Sequence, residues 1–158
     1  MKRILISAVA VALLGGCAGM HEPQATGSKE MKMAFDFTDA ATGPLIVKLE
    51  TVEVTRKQLV DAGYTPKMVL TFRGQASYYT QTDLSLVKDT DRADALKVQS
   101  LIRQLHTTGA VERVEQCNIP LAPRKIQASN LMPEVKLVPN GWISLAEHQR
   151  RGYAYIAP

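Results

Sequence analysis

The sequence predicts an α/β sandwich: a mostly parallel sheet of about five strands with helices packed on both faces. Three observations lead there. Short apolar or alternating runs recur along the chain, longer stretches between them repeat their apolar residues every three or four positions, and glycines close those stretches. Strands separated by helices of that length pair in parallel through right-handed crossovers.

Taken in order, Met31 to Phe37 (MKMAFDF) alternates apolar and polar residues, as a strand with one covered face does. Thr42-Gly43-Pro44 opens a helix. Its proline suits a first-turn position, Leu45, Leu49, Val52, Leu59 and Val60 recur near a 3.6 period, and Gly63 ends it. The β-branched Val47, Val52, Val54 and Thr55 leave a strand open for part of this run. Met68 to Phe72 (MVLTF) is a continuous apolar run, the pattern of a strand covered on both faces. Asp91 is placed to cap the next helix, whose Ala95, Val98, Ile102 and Leu105 share a face and which stops near Gly109. Val111 to Gln116 (VERVEQ) and Val135 to Val138 (VKLV) read as strands. A helix from about Trp142 to Arg151 follows, stopped by Gly152, and Tyr153 to Ile156 is the last strand of the pattern.

Ahead of this lies a segment of another kind. Lys2 and Arg3 precede an apolar run from Ile4 to Leu14, which leads into Leu14-Gly15-Gly16-Cys17. An apolar run of about a dozen residues is too short for a hydrocarbon core that takes roughly 20 helical residues, and it suits the h-region of a signal peptide. An ordinary secretory leader with a chance cysteine fits these residues too. The run into Cys17 resembles the lipobox of bacterial lipoproteins, which implies a signal peptide over residues 1–16 and an acylated Cys17 as the new N-terminus. Acyl chains contribute about 0.8 kcal/mol per buried methylene, and stable anchoring takes more than one chain. With Ala18 rather than Asp behind the cysteine, the same resemblance implies a cell-envelope lipoprotein on the periplasmic face of the outer membrane, with the lipid bilayer as partner.

Residues 17–30 read as a flexible tether that begins at the acylated Cys17, because Ala18 to Glu30 (AGMHEPQATGSKE) is polar, small and Pro/Gly-bearing. His21 within it reads most simply as a solvated residue. Residues 31–158 are then one domain, since the roughly 140 residues that remain without the leader are enough for a single core and too few for two. The formal charge of +4 loses the two positive charges of Lys2 and Arg3 with the leader, and the remaining Lys and Arg residues are scattered rather than massed in a stripe. Nothing in that charge pattern points to nucleic acid.

If Cys17 is lipidated, Cys117 is the only thiol left, and no internal disulfide is available. In parallel α/β sheets, ligands and chemistry gather at the carboxyl ends of the strands. Cys117 follows the third strand and precedes Asn118-Ile119-Pro120, where Pro120 suits the first position of a short helix. A thiol beside a helix N-terminus is favoured as thiolate, the reactive form. Free cysteine is equally a small buried hydrophobe in many proteins, so a structural Cys117 stays open. Arg73, Gln75, Tyr78 and Asn118 are candidates for a pocket beside it, because adjacent strand ends converge. Tyr78 and Tyr79 also suit a subunit interface, where aromatic residues are enriched.

Trp142 is expected to pack the last helix against the sheet. His106, late in a helix, complements its dipole. His148 adjoins Glu147 with no second histidine at metal spacing, so no metal site is expected. Neither nucleotide fingerprint surrounds Gly43-Pro44 or Gly74-Gln75, no G-x-S-x-G elbow is present, and no cofactor is implied.

Gly109-Ala-Val-Glu-Arg-Val-Glu-Gln-Cys117, Val135-Lys-Leu-Val138, and the ending Gly141-Trp-Ile-Ser-Leu-Ala-Glu-His-Gln-Arg-Arg-Gly-Tyr-Ala-Tyr-Ile156 together resemble the DsrE/DsrF (YchN-like) family. Met68-Val-Leu-Thr-Phe-Arg-Gly74 is similar to that family's second strand and the glycine past its end. The resemblance implies a Rossmann-like three-layer subunit that assembles into homo-oligomers, trimers or hexamers. It also implies a persulfide-carrying cysteine at position 117, exchanging sulfur with donor and acceptor proteins. Two functions stand at this point: a membrane-tethered sulfur carrier or thiol relay using Cys117, and a lipoprotein binding or assembly module in which Cys117 is structural.

Overall fold

A computed structural model describes residues 29–158 of the chain. The expected leader, the lipidation site Cys17 and nearly all of the tether, His21 included, lie outside the described residues. Five strands form the sheet: β1 (Glu30–Phe37), β2 (Thr65–Phe72), β3 (Val111–Cys117), β4 (Val135–Val138) and β5 (Ala154–Ile156). Their order is β4-β3-β2-β1-β5, and every pairing is parallel. With helices α1 (Thr42–Asp61), α2 (Arg92–Thr107) and α3 (Gly141–Arg150) added, the fold is the Rossmann-like three-layer α/β sandwich that the sequence predicts.

Side chains alternate across a strand, and that alternation sorts the helices. Phe35 and Phe37 of β1 and Met68, Leu70 and Phe72 of β2 gather with Leu45, Leu49 and Val52 of α1 and with Val98, Ile102 and Leu105 of α2. Ala34 and Val69 point the other way and pack against Leu145 of α3 and Tyr153. The first face is the main core, where each buried Leu, Ile or Phe contributes roughly 1.5–3 kcal/mol relative to exposure. The second face is thinner and more polar, and Cys117 and Arg73 lie at its edge beside α3.

The open question over residues 42–61 resolves as helix throughout. Leu45, Ile46, Leu49 and Val52 form one buried stripe, while Val47 and Val54 are left exposed on the opposite side. The hydroxyls of Thr51 and Thr55 bond back to the carbonyls of Val47 and Thr51, each at 2.8 Å. Asp91 stands at the N-cap of α2 but its side chain does not cap it. Its backbone sits in the right-handed helical region (φ −103°, ψ −3°) rather than the extended one a capping residue adopts. Its carboxylate accepts instead from the Thr90 hydroxyl at 3.0 Å.

Pro120 does not begin an α-helix. Between β3 and β4 the chain makes tight turns, including single 3-10 turns at Ala122–Arg124 and Ala128–Asn130, anchored by buried Leu121, Ile126 and Met132. A hydrogen bond from Leu121 N to Asn118 O at 3.1 Å already curls the segment past the cysteine.

Candidate functional site at the end of the third strand

Cys117 ends β3, and its side chain faces α3 together with Glu115, while Val114 and Gln116 face the main core. Gln116 holds the backbone there. Its amide nitrogen donates to the Cys117 carbonyl and to Ser77 Oγ, each at 2.8 Å, and its amide oxygen accepts from Thr80 Oγ1 at 2.8 Å. Across the sheet face, the backbone N–H of Gly141 donates to Cys117 Sγ at 3.1 Å. The helix N-terminus that meets the sulfur is therefore that of α3, 24 residues downstream in the chain. The turn the sequence suggested right behind the cysteine does not supply it. Asn140 caps α3, its side-chain oxygen accepting from Trp142 N at 2.9 Å.

Only 4% of Cys117 is exposed, and it lines a cleft of about 250 Å³. Ile119, Pro120, Pro123 and Trp142 give that cleft apolar walls, and Arg73, Arg124 and Asn140 give it polar ones. Arg73 is locked in place: Nε and a terminal nitrogen reach the two oxygens of Asp36 at 2.6 Å each, and Tyr155 donates to the same carboxylate at 2.8 Å. The bond to Asp36 raises the Arg73 guanidinium above its usual value and, with burial, raises the Tyr155 hydroxyl as well. Trp142 is 66% exposed and stacks on the Arg73 guanidinium at 5.4 Å. That corrects the expected packing of Trp142 on the sheet. The buried positions of α3 are Gly141, Ser144, Leu145 and His148, a stripe at i, i+3, i+4 and i+7 that leaves residue 142 off the covered face.

One turn along α3 lies a buried polar cluster. The fully buried Glu115 accepts from Ser144 Oγ at 2.5 Å and from Thr71 Oγ1 at 3.4 Å on one oxygen. Its other oxygen meets His148 Nε2 at 3.1 Å. Arg113 Nε stands 2.9 Å from that oxygen as an ion pair without hydrogen-bond alignment. Arg151 donates to His148 Nδ1 at 3.1 Å, so the imidazole carries its proton on Nε2, toward the carboxylate.

Of the pocket residues expected from the sequence, Arg73 shares the cleft with Cys117. Gln75 and Tyr78 do not. They line a separate hollow with Leu86, Val87 and Lys88, because the 3-10 segment Gly74–Thr80 turns them toward the start of α2. Asn118 is exposed, and its backbone N–H pairs with Val138 O at 2.8 Å, continuing the β3–β4 ladder past the cysteine. His106 lies in the last turn of α2 as expected. Sequence reasoning missed Glu115, Ser144, His148, Asn140 and Gly141. The spacing of Gly141, Ser144, Leu145 and His148 was the available signal, since it marks the covered face of α3. No group of three or more His, Cys, Asp or Glu side chains among the described residues is placed to hold a metal ion.

No model of a known protein family matches the chain. An uncharacterized protein of Aquifex aeolicus (strain VF5) is 27% identical over 126 residues, 80% of this chain and 55% of that protein. The chain thus spans about half the length of that relative. Among solved structures it is similar to protein MTH1491 of Methanobacterium thermoautotrophicum, a protein of unknown function, with a TM-score of 0.61 at 17% identity. That likeness covers 81% of this chain and 99% of the other, and it is a likeness of fold.

Proposed function

We propose that this protein is a membrane-tethered sulfur carrier or thiol relay in which Cys117 is the nucleophile and Cys17 the lipid attachment point. The observation that carries the reading is the Gly141 N–H directed at Cys117 Sγ at the floor of a cleft. A backbone donor at a helix N-terminus favours thiolate over thiol. The thiolate attacks the outer sulfur of a donor persulfide, forming a new bond to Sγ and breaking the donor's sulfur–sulfur bond. The donor leaves as a thiolate and Cys117 becomes the persulfide. An acceptor thiolate then takes the outer sulfur by the same displacement, and the Gly141 amide stabilises the Cys117 thiolate as it leaves. No external oxidant or reductant enters, because each step exchanges one sulfur–sulfur bond for another. Homo-oligomers, trimers or hexamers, complete this reading.

Incubation with a persulfide donor is expected to add the mass of one sulfur atom at Cys117, and Cys117→Ser is expected to abolish it. Equal loading of both chains removes the proposal. Replacing Cys17 with serine is expected to move the protein out of the membrane fraction. A second reading, a lipoprotein assembly module with a structural cysteine, is favoured by the 4% exposure of Cys117. A thiol that alkylates no faster in the folded chain than in denatured protein supports that reading over the first.

A further inference from the structure

We infer that Glu115, acting through Ser144 and His148, is the positioning residue for Cys117: it fixes the phase and height of α3 so that the Gly141 amide meets the sulfur. This rests on the sulfur-carrier reading and names what assembles that site.

The helix has ten residues and little apolar hold on the sheet, with Leu145 its one member of the small core on that face. Its other buried positions are a glycine, a serine and a histidine. Ser144 and His148 are one turn apart on the covered face and bond the two different oxygens of one carboxylate. Two anchors at different heights resist both rotation and sliding, whereas one anchor leaves a pivot. The spacing of strand and helix agrees. Glu115 and Cys117 are two residues apart on one strand face, roughly 6–7 Å. On α3, which runs back along β3, the midpoint of Ser144 and His148 lies about 7 Å beyond Gly141. When the carboxylate engages both anchors, the first N–H of the helix falls opposite the sulfur. Arg151 supports the arrangement from the far side by holding the imidazole proton on Nε2.

The test is the rate of Cys117 alkylation by iodoacetamide against pH in the full chain, for wild type, Ser144→Ala, His148→Leu and His148→Gln. Ser144→Ala and His148→Leu are expected to slow the reaction near neutral pH by about three- to tenfold, the worth of one hydrogen bond, and to move the profile toward higher pH. His148→Gln keeps an N–H donor and is expected to restore the wild-type profile. A purely structural role lowers the unfolding temperature without moving the profile. Profiles of Ser144→Ala and His148→Leu that superimpose on wild type overturn the inference. If His148→Leu does not fold, the Gly141 amide resonance of Ser144→Ala decides. Its pH-dependent shift, which follows the thiol, is expected to shrink, and an unchanged shift overturns the proposal. Persulfide loading of the wild type separates the two claims. Loading with unmoved variant profiles removes the positioning role alone, while moved profiles without loading remove the sulfur reading alone.

Discussion

A methyl group on Gly141 would stand 3.1 Å from Cβ of Cys117 and 3.5 Å from its Sγ. The start of α3 therefore lies as close to the end of β3 as one intervening side chain allows. The glycine serves that approach rather than an unusual backbone angle, since its φ lies outside the left-handed region. Gly141→Ala is expected to push the helix start away by a few tenths of an ångström and to lengthen the amide–sulfur contact. Urea unfolding should show a loss of about 1–2 kcal/mol. Sulfur loading of Cys117 near neutral pH should fall with it, and unchanged loading would mean that the contact does not govern the thiol.

Asp36 is the hinge of a second cluster on the same face. Its carboxylate is almost fully buried, and it accepts two bonds from Arg73 and one from Tyr155. Asp36→Asn keeps the size and removes the charge, so the guanidinium loses its paired acceptor. A loss of about 2 kcal/mol is expected in urea unfolding, within the range for hydrogen bonds to charged groups. Release of Arg73 should also loosen its stacking on Trp142, which tryptophan fluorescence reads directly.

Alkaline stability follows from Tyr153. Burial, followed by its hydrogen bond to the Glu112 carboxylate, pushes the hydroxyl up to about 12. The folded chain thus holds this proton more tightly than the unfolded chain, whose tyrosines titrate near the ordinary value of about 10. The contribution is complete below that ordinary value and is lost as pH rises toward 12. Stability is expected to fall across this window by an amount on the order of 1 kcal/mol after allowance for solvent screening, which a declining unfolding temperature reads out. Tyr153→Phe should make the fall shallower. It should not abolish it, because Tyr155 and Tyr79 are raised in the same direction.

The architecture was legible because hydrophobic periodicity is a local property. The buried stripes of α1 and α2 and the apolar run of β2 announce themselves in sequence. Other features are not local. Pro120 reads as a helix start, but tertiary anchors at Leu121, Ile126 and Met132 curl the segment into turns. Asp91 has the chemistry of a cap without the backbone conformation for one. Glu115 looks like an ordinary charge in a strand, and only the return of α3 across β3 surrounds it with Ser144, His148 and Arg113. Cys117 stands out in the sequence by its scarcity, whereas the amide that meets it does not, because Gly141 comes from a different element. Gln75 and Tyr78 follow β2, whose end lies beside that of β3, but the 3-10 segment after β2 turns them away.

The sheet is dressed unequally, with twenty- and sixteen-residue helices on one side and a ten-residue helix on the other. Regions with few buried apolar contacts breathe open at lower free energy than the whole domain unfolds. α3, with Leu145 as its one residue in the small core of that face, is expected to lift more readily than α1 or α2. When it lifts, the sulfur becomes reachable to a large partner and parts from its amide in the same event. A small molecule threading into the cleft while the helix is seated meets a sulfur that still accepts the Gly141 amide, whereas a bulky protein that must wait for the helix to lift meets one that has lost it.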